Sequence, residues 1–400
     1  MRLQLSALGI VNALGQGKRV VADRLFGDAG SALIPRDDLI PGATAWVGAV
    51  TAPLPEIPAA LQRYDCRNNR LALAALDEIA PEIEAARGRY SGERIAVILG
   101  TSTSGIAEGE AAIGVRQRMG AWPGDFAYSR QEPGNLAAFV AAHLDLGGPA
   151  YTIHTACSSS GKAFAAAQRL IAAGLCDAAL VGGADSICGL TLNGFHSLEA
   201  LSPGPCNPFS VNRSGTSIGE GAALFLLEPG ASEAGDRPVR LLGVGESSDA
   251  HHVSAPDPAG GGARLAITKA LDAARLDAPA IVYVNLHGTA TPLNDVMEGG
   301  VIAGLFGAAT PVSSTKRLTG HTLGAAAAIE AAFLWLSLSP EYGDLRLPPH
   351  LWDGVPDPAI PALRFARPGD RLNARGPVAM LSTSFAFGGS NVALVLGRDG

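Results

Sequence analysis

The 400-residue sequence predicts a layered α/β fold made of two similar halves. Short apolar runs ending in glycine alternate with alanine-rich stretches of helical period. Fifty residues are glycine, well above the average of about 7%, which calls for many tight turns and close backbone approaches. The same style of elements recurs on either side of a polar segment near residues 230–238. A chain that is 47% hydrophobic and 17% charged, against about 25% charged on average, buries a large core and is no disordered polyelectrolyte.

In chain order, 94–100 (RIAVILG) reads as a buried strand followed by a polar turn, 135–146 as a helix and 150–155 as a short strand. Residues 158–173 form a helix whose inward positions are mostly alanine, which permits close packing. Residues 178–183 and 222–227 are buried strands, and 229–238 is a surface connection. In the second half, 239–244 and 281–286 read as strands, 262–274 as a helix and 323–338 as a long buried helix. Residues 378–381 and 392–396 close the chain as a strand pair around a glycine loop, and 342–368 is an ordered surface loop. No repeat is visible in residue identity.

The net charge of −7 argues against a broad nucleic-acid surface. The most apolar stretch, 325–338, is interrupted by Glu330 and is shorter than the ~20 residues of a membrane span. The first fifteen residues lack the features of a signal peptide. Five cysteines without CxxC spacing suit neither a disulfide scaffold nor a zinc ribbon, so a reduced, cytoplasmic enzyme is expected.

Cys157, in TACSSSG (155–161), stands between an apolar strand and a small-residue helix. There a sulfur meets the unpaired N–H groups of the first helical turn, which favour a thiolate, and the Cys157 N–H is a natural oxyanion donor. Taken alone, it is as readily a small buried cysteine; Cys66, Cys176, Cys188 and Cys206 have no comparable setting. His287 ends IVYVNLH and opens HGTATPLND, where Thr289 and Thr291 are placed to bind a ligand amide. His321, in KRLTGHTLGAA, precedes the long helix as a neutral imidazole donor. The other histidines, His350 and His252 among them, are assigned to structural or exposed positions. Lys316, Glu298 and Asp295 supply charges to orient the imidazoles. The segment SFAFGGSN (384–391) is a glycine turn bearing two phenylalanines.

Six ordered motifs together resemble the elongating β-ketoacyl-acyl-carrier-protein synthases of the thiolase superfamily, over roughly residues 1–397. They are TACSSSG, NPFSVNRSGTSIGEGA (207–222), SSDAHHVSAP (247–256), NLHGTATPLND, STKRLTGHTLGAA (314–326) and FAFGGSN. The resemblance implies a five-layered αβαβα duplication, with an N-terminal half 1–235 bearing the nucleophilic cysteine and a C-terminal half 236–400 bearing both histidines. It implies Cys157, His287 and His321 as a Cys-His-His triad for decarboxylative condensation of malonyl-carrier with an acyl chain held on Cys157. Lys316 and Glu298 would hold this network, Phe387 would gate the cysteine and supply an oxyanion N–H, and Thr289 and Thr291 would bind the phosphopantetheine arm of an acyl carrier protein. No bound cofactor or metal is implied.

Two departures from the family pattern bear on the substrate. Ala386 stands for the first glycine of a loop usually written GFGG, restricting the gate beside Phe385. Thr216 stands where a phenylalanine is usual, making room near the gate. Both suggest a specialised synthase, for instance of polyene or aryl-polyene chains. Arg63, Arg67 and Arg70, at helical spacing, are candidates for docking an acidic carrier protein; a solvated helix face is the competing reading. The expected assembly is a homodimer or a heterodimer with a ketosynthase-like subunit. A non-catalytic chain-length factor would lack Cys157, and a thiolase or initiating synthase would replace one of the histidines.

Overall fold

Ten strands carry the architecture of the computed structural model, which describes residues 3–28, 30–230, 237–374 and 376–399. The N-terminal half holds β1 (Leu3–Asn12), β2 (Ile95–Gly100), β3 (Ala150–Ile153), β4 (Ala178–Asp185) and β5 (Gly221–Pro229). The C-terminal half holds β6 (Arg240–Ser248), β7 (Ile281–Asn285), β8 (Pro311–Ser313), β9 (Val378–Phe385) and β10 (Ser390–Arg398). Their order across the sheet is β8-β7-β9-β10-β6-β1-β5-β4-β2-β3, with a short strand, Arg364–Phe365, beyond β8.

Counted from its own first strand, each half reads first-fifth-fourth-second-third. In each, the second strand lies parallel to the third and fourth, and the fifth is antiparallel to both its neighbours. The duplication invisible in residue identity is therefore explicit in topology. The halves join where β1 pairs antiparallel with β6, Leu3 opposite Leu241.

Six principal helices make the other layers. Helices α1 (Arg67–Glu78) and α2 (Asn135–His143) cover one outer face, and α4 (Gly261–Ala274) and α5 (Pro292–Phe306) the other. Between the two sheet halves lie α3 (Ser159–Ala172), whose buried face is mostly alanine, and α6 (Ala326–Leu338), buried along almost its whole length. Their approach needs Gly161, where a Cβ would stand 2.6 Å from Val392 Cγ1 and 3.1 Å from Ala327 Cβ. The five layers are thus helix, sheet, helix, sheet, helix.

Most expected elements occur with ends displaced by a few residues. The long helix expected from 323 starts as a 3₁₀ turn, Leu323–Ala325, because Leu323 sits at φ 51°. Strand β1 and helix α5 were not anticipated from sequence, and the 235/236 boundary falls in 231–236, outside the described residues. Among the described residues no helix is long and apolar enough to cross a membrane.

Candidate active site

The chain leaves β3 and turns into α3 through Ala156, held at φ 51°, and this sharp corner presents Cys157 at the floor of a cavity of about 310 Å³. The N–H groups of Cys157 and Phe387 both reach the sulfur. The expected resting thiolate is corrected by its surroundings: burial pushes the thiol up to about 12, outweighing Lys316 and the two N–H donors that pull it down. The sulfur rests as a thiol, and attack must be coupled to loss of its proton.

His321 reaches the site by way of the short helix Lys316–Thr319 and Gly320, and its Nε2 lies 3.0 Å from Cys157 Sγ. His287 stands just beyond the end of β7, its ring edge-on to His321 with centroids 5.3 Å apart. Burial first, then the Lys316 charge, holds both imidazoles well below their ordinary value; His321 lowers His287 further. Both are neutral. Lys316 Nζ is 3.5 Å from His287 Nδ1, and an ammonium can only donate, so Nδ1 accepts and the proton sits on Nε2, facing the cavity. Among the described residues His321 Nδ1 has no hydrogen-bond partner, which also favours the Nε2–H tautomer, since an orphaned buried N–H is rarer than an orphaned acceptor. The ligating atoms of Cys157, His287 and His321 lie within 4.8 Å of one another, close enough to bind a metal ion, but the buried Lys316 charge beside them opposes a further cation.

The charged residues divide the work differently from the sequence expectation. Glu298 does not touch an imidazole: its carboxylate accepts the N–H groups of His287 and Gly288, each at 2.7 Å, and the Thr383 hydroxyl at 2.9 Å. Asp295 likewise accepts N–H groups, from Phe209 at 2.8 Å and Ala290 at 3.2 Å. The partner of Lys316 is Glu330 of α6, with Nζ 2.5 Å from Oε1 and both side chains buried. Glu330 was read from sequence only as an interruption of an apolar run; a lone acid inside a buried helix was the available signal.

Thr289, Thr291, Phe385, Ala386 and Phe387 all line the cavity, and the two threonine hydroxyls are 2.9 Å apart. Ala386 is extended at φ −94°, a conformation that a Cβ does not strain, so the glycine usual there is not required by this backbone. Phe387 stacks on Phe195, centroids 5.4 Å apart and planes at 19°; Phe195 was not foreseen. Thr216 is corrected: it is fully buried outside the cavity lining, its N–H bonded to the carbonyl of Ala200, which does line the cavity. The three arginines do not share one helix. Arg63 lies in the separate 3₁₀ turn Ala59–Tyr64 and stacks on Tyr64, Arg67 is paired with buried Glu220 at 2.5 Å, and Arg70 with Asp65 at 2.7 Å. Two of the three cations are committed within the chain.

Comparison with known proteins agrees with this geometry. The family model for the β-ketoacyl synthase N-terminal domain matches residues 57–232, and that for the C-terminal domain matches 239–344. The 3-oxoacyl-[acyl-carrier-protein] synthase 2 of Staphylococcus aureus is 30% identical over 344 residues, covering 82% of this chain and 83% of that protein. A chain from the structure of a ketosynthase in complex with its chain length factor from Xenorhabdus doucetiae is 45% identical, with a TM-score of 0.91 over 99% of this chain and 98% of that one. A β-ketoacyl synthase from Burkholderia phymatum STM815 is 28% identical, with a TM-score of 0.84 over 100% and 99%.

Proposed function

The chain belongs to the β-ketoacyl synthase family, and from that premise we propose that it is the acyl-accepting, condensing member of a ketosynthase pair that elongates planar, conjugated chains. The observation that carries the chemistry is the convergence of Cys157 Sγ, His321 Nε2 at 3.0 Å and His287 in one cavity. The Thr289 and Thr291 hydroxyls hold amides of the incoming phosphopantetheine arm. Cys157 attacks the carrier thioester; its S–C bond forms, the carrier S–C bond breaks, and the thiol proton ends on the departing carrier thiol. The oxyanion meets the N–H groups of Cys157 and Phe387. Malonyl-carrier then loses CO₂, and the electron pair left behind forms an enolate whose oxygen accepts from the Nε2–H groups of His287 and His321. Its carbon attacks the acyl carbonyl, a C–C bond forms, the Cys157 S–C bond breaks, and the departing sulfur takes one proton from solvent to return to the resting thiol.

The stacked Phe195–Phe387 pair, with Phe385 beside it, supports the conjugated-chain reading, because flat aromatic faces suit a planar polyene. The pairing is supported by the Xenorhabdus complex and by the free edge of β3. Incubation with acyl-carrier thioesters of varied length and unsaturation, followed by intact-protein mass spectrometry, tests the reading. An acyl increment is expected on the wild type and none on Cys157→Ala, with conjugated chains extended faster than saturated ones. Equal or better use of saturated chains overturns the substrate assignment; no increment on the wild type overturns the function.

A further inference from the structure

His350 lies outside the reaction cavity and has no part in the chemistry above, yet it is 4% exposed and bonded through both ring nitrogens. The Ser314 N–H donates to its Nδ1 at 3.1 Å, and its Nε2 lies 3.2 Å from the Pro208 carbonyl, which can only accept, so the proton sits on Nε2. The ring stacks on Phe365, centroids 4.2 Å apart and planes at 20°, which fixes its orientation.

Ser314 connects this histidine to the reacting groups. Its hydroxyl donates to the Gly288 carbonyl at 2.7 Å, immediately after His287, and accepts the Lys316 N–H at 3.4 Å. Gly288 sits at φ 43°, and a Cβ there would stand 2.5 Å from Ser314 Cβ, so the two loops touch backbone to side chain with no slack. The Lys316 Nζ in turn meets both His287 Nδ1 and Glu330 Oε1.

We propose that His350 is a positioning residue for condensation: by accepting the Ser314 N–H it sets the loop that carries Lys316, and through Lys316 it sets the tautomer and orientation of His287. Burial holds this imidazole down to about 3, so Nδ1 keeps its lone pair at every working pH. The inference rests on the condensing activity proposed above and separates its two half-reactions. Acylation uses Cys157 and the Phe387 N–H, which His350 does not reach; decarboxylation and bond formation use His287.

The test compares His350→Phe, which keeps a stacking ring and loses both hydrogen bonds, with His350→Asn, whose Oδ1 replaces Nδ1 as acceptor. Acylation of Cys157 and the condensation rate are measured separately on each. The ratio of condensation to acylation is expected to fall at least about tenfold in His350→Phe and to return to within about threefold of wild type in His350→Asn. If His350→Phe does not fold, His350→Leu, which fills the site without a donor or a nitrogen or oxygen acceptor, takes its place under the same criterion. An unchanged ratio, or a loss that His350→Asn does not rescue, overturns the proposal. Loss of acylation in the wild type would instead overturn the function on which it rests.

Discussion

The Lys316–Glu330 pair shows at the level of single residues why removing one partner differs from removing both. A buried ion pair deprived of one member leaves an uncompensated charge, at a cost of about 3–5 kcal/mol, whereas exchanging both for neutral groups is often close to neutral. Glu330→Gln is therefore expected to destabilise the fold by roughly 3 kcal/mol, and Lys316→Met/Glu330→Gln to recover most of that while leaving condensation impaired. Denaturant unfolding read beside condensation rate separates the two effects. Recovery of activity together with stability in the double variant would contradict a role for Lys316 in holding His287. Glu298 yields a pH prediction. Burial lifts its carboxyl to about 7, against the pull of the Gly288 N–H, while an unfolded glutamate titrates near 4.5. Between those values the folded state holds more protons than the unfolded one, so this group's stabilisation is full below about 4.5 and is lost as pH rises through about 7. Melting temperature against pH from 5 to 8 should fall less steeply in Glu298→Gln than in wild type. Much of this residue-scale detail was hidden in the sequence. His287 and His321 stood out because each adjoins a glycine at an element boundary, whereas Glu330 and His350 act on partners 14 and 36 residues away. Separations of that kind become visible only when the loops are folded together.

At the scale of elements, the corner carrying Cys157 depends on how closely α3 lies against the ends of β2 and β4. A Cβ on Gly100 would stand 2.3 Å from the Ser160 nitrogen and 2.6 Å from Ser160 Cα, and one on Gly183 2.5 Å from the Gly100 carbonyl oxygen. Because the obstructing atoms are backbone, rotamer change cannot relieve the clash. Gly100→Ala should cost about 1–3 kcal/mol of stability and slow Cys157 acylation, because the start of α3 must shift with its nucleophile. Thermal unfolding and the rate of acyl transfer to Cys157 check both parts; a variant with wild-type stability would show that the approach is not tight. The glycine-terminated apolar runs made these strands legible. Strand β1 was obscured because its burial changes from alternating at Leu3 and Leu5 to continuous from Ala7, where it lies between β5 and the packed helix α1. Thr216 was misplaced for a related reason: proximity to a motif in sequence does not specify which side of a loop faces the cavity.

At the largest scale, β1 and β6 join the two halves into one sheet, which among the described residues remains open at β3 of the N-terminal half. Native proteins seldom leave such an edge uncovered, because unpaired N–H and C=O groups invite another strand. Tyr151 of β3 is 40% exposed, and elsewhere on the same half Tyr128, Leu190 and Leu198 are each more than half exposed. Under the pairing proposed above, these features make β3 the edge at which a second ketosynthase-fold subunit is expected to add. Tyr151→Asp would place a carboxylate at the strand edge and should shift the protein from dimer to monomer by light scattering, leaving the monomer's melting transition intact because the side chain contributes little to its own core. Co-expression with a chain-length-factor subunit should give a heterodimer with the wild type and not with the variant. A Tyr151→Asp protein that still assembles would place the subunit interface on another face of the duplicated fold.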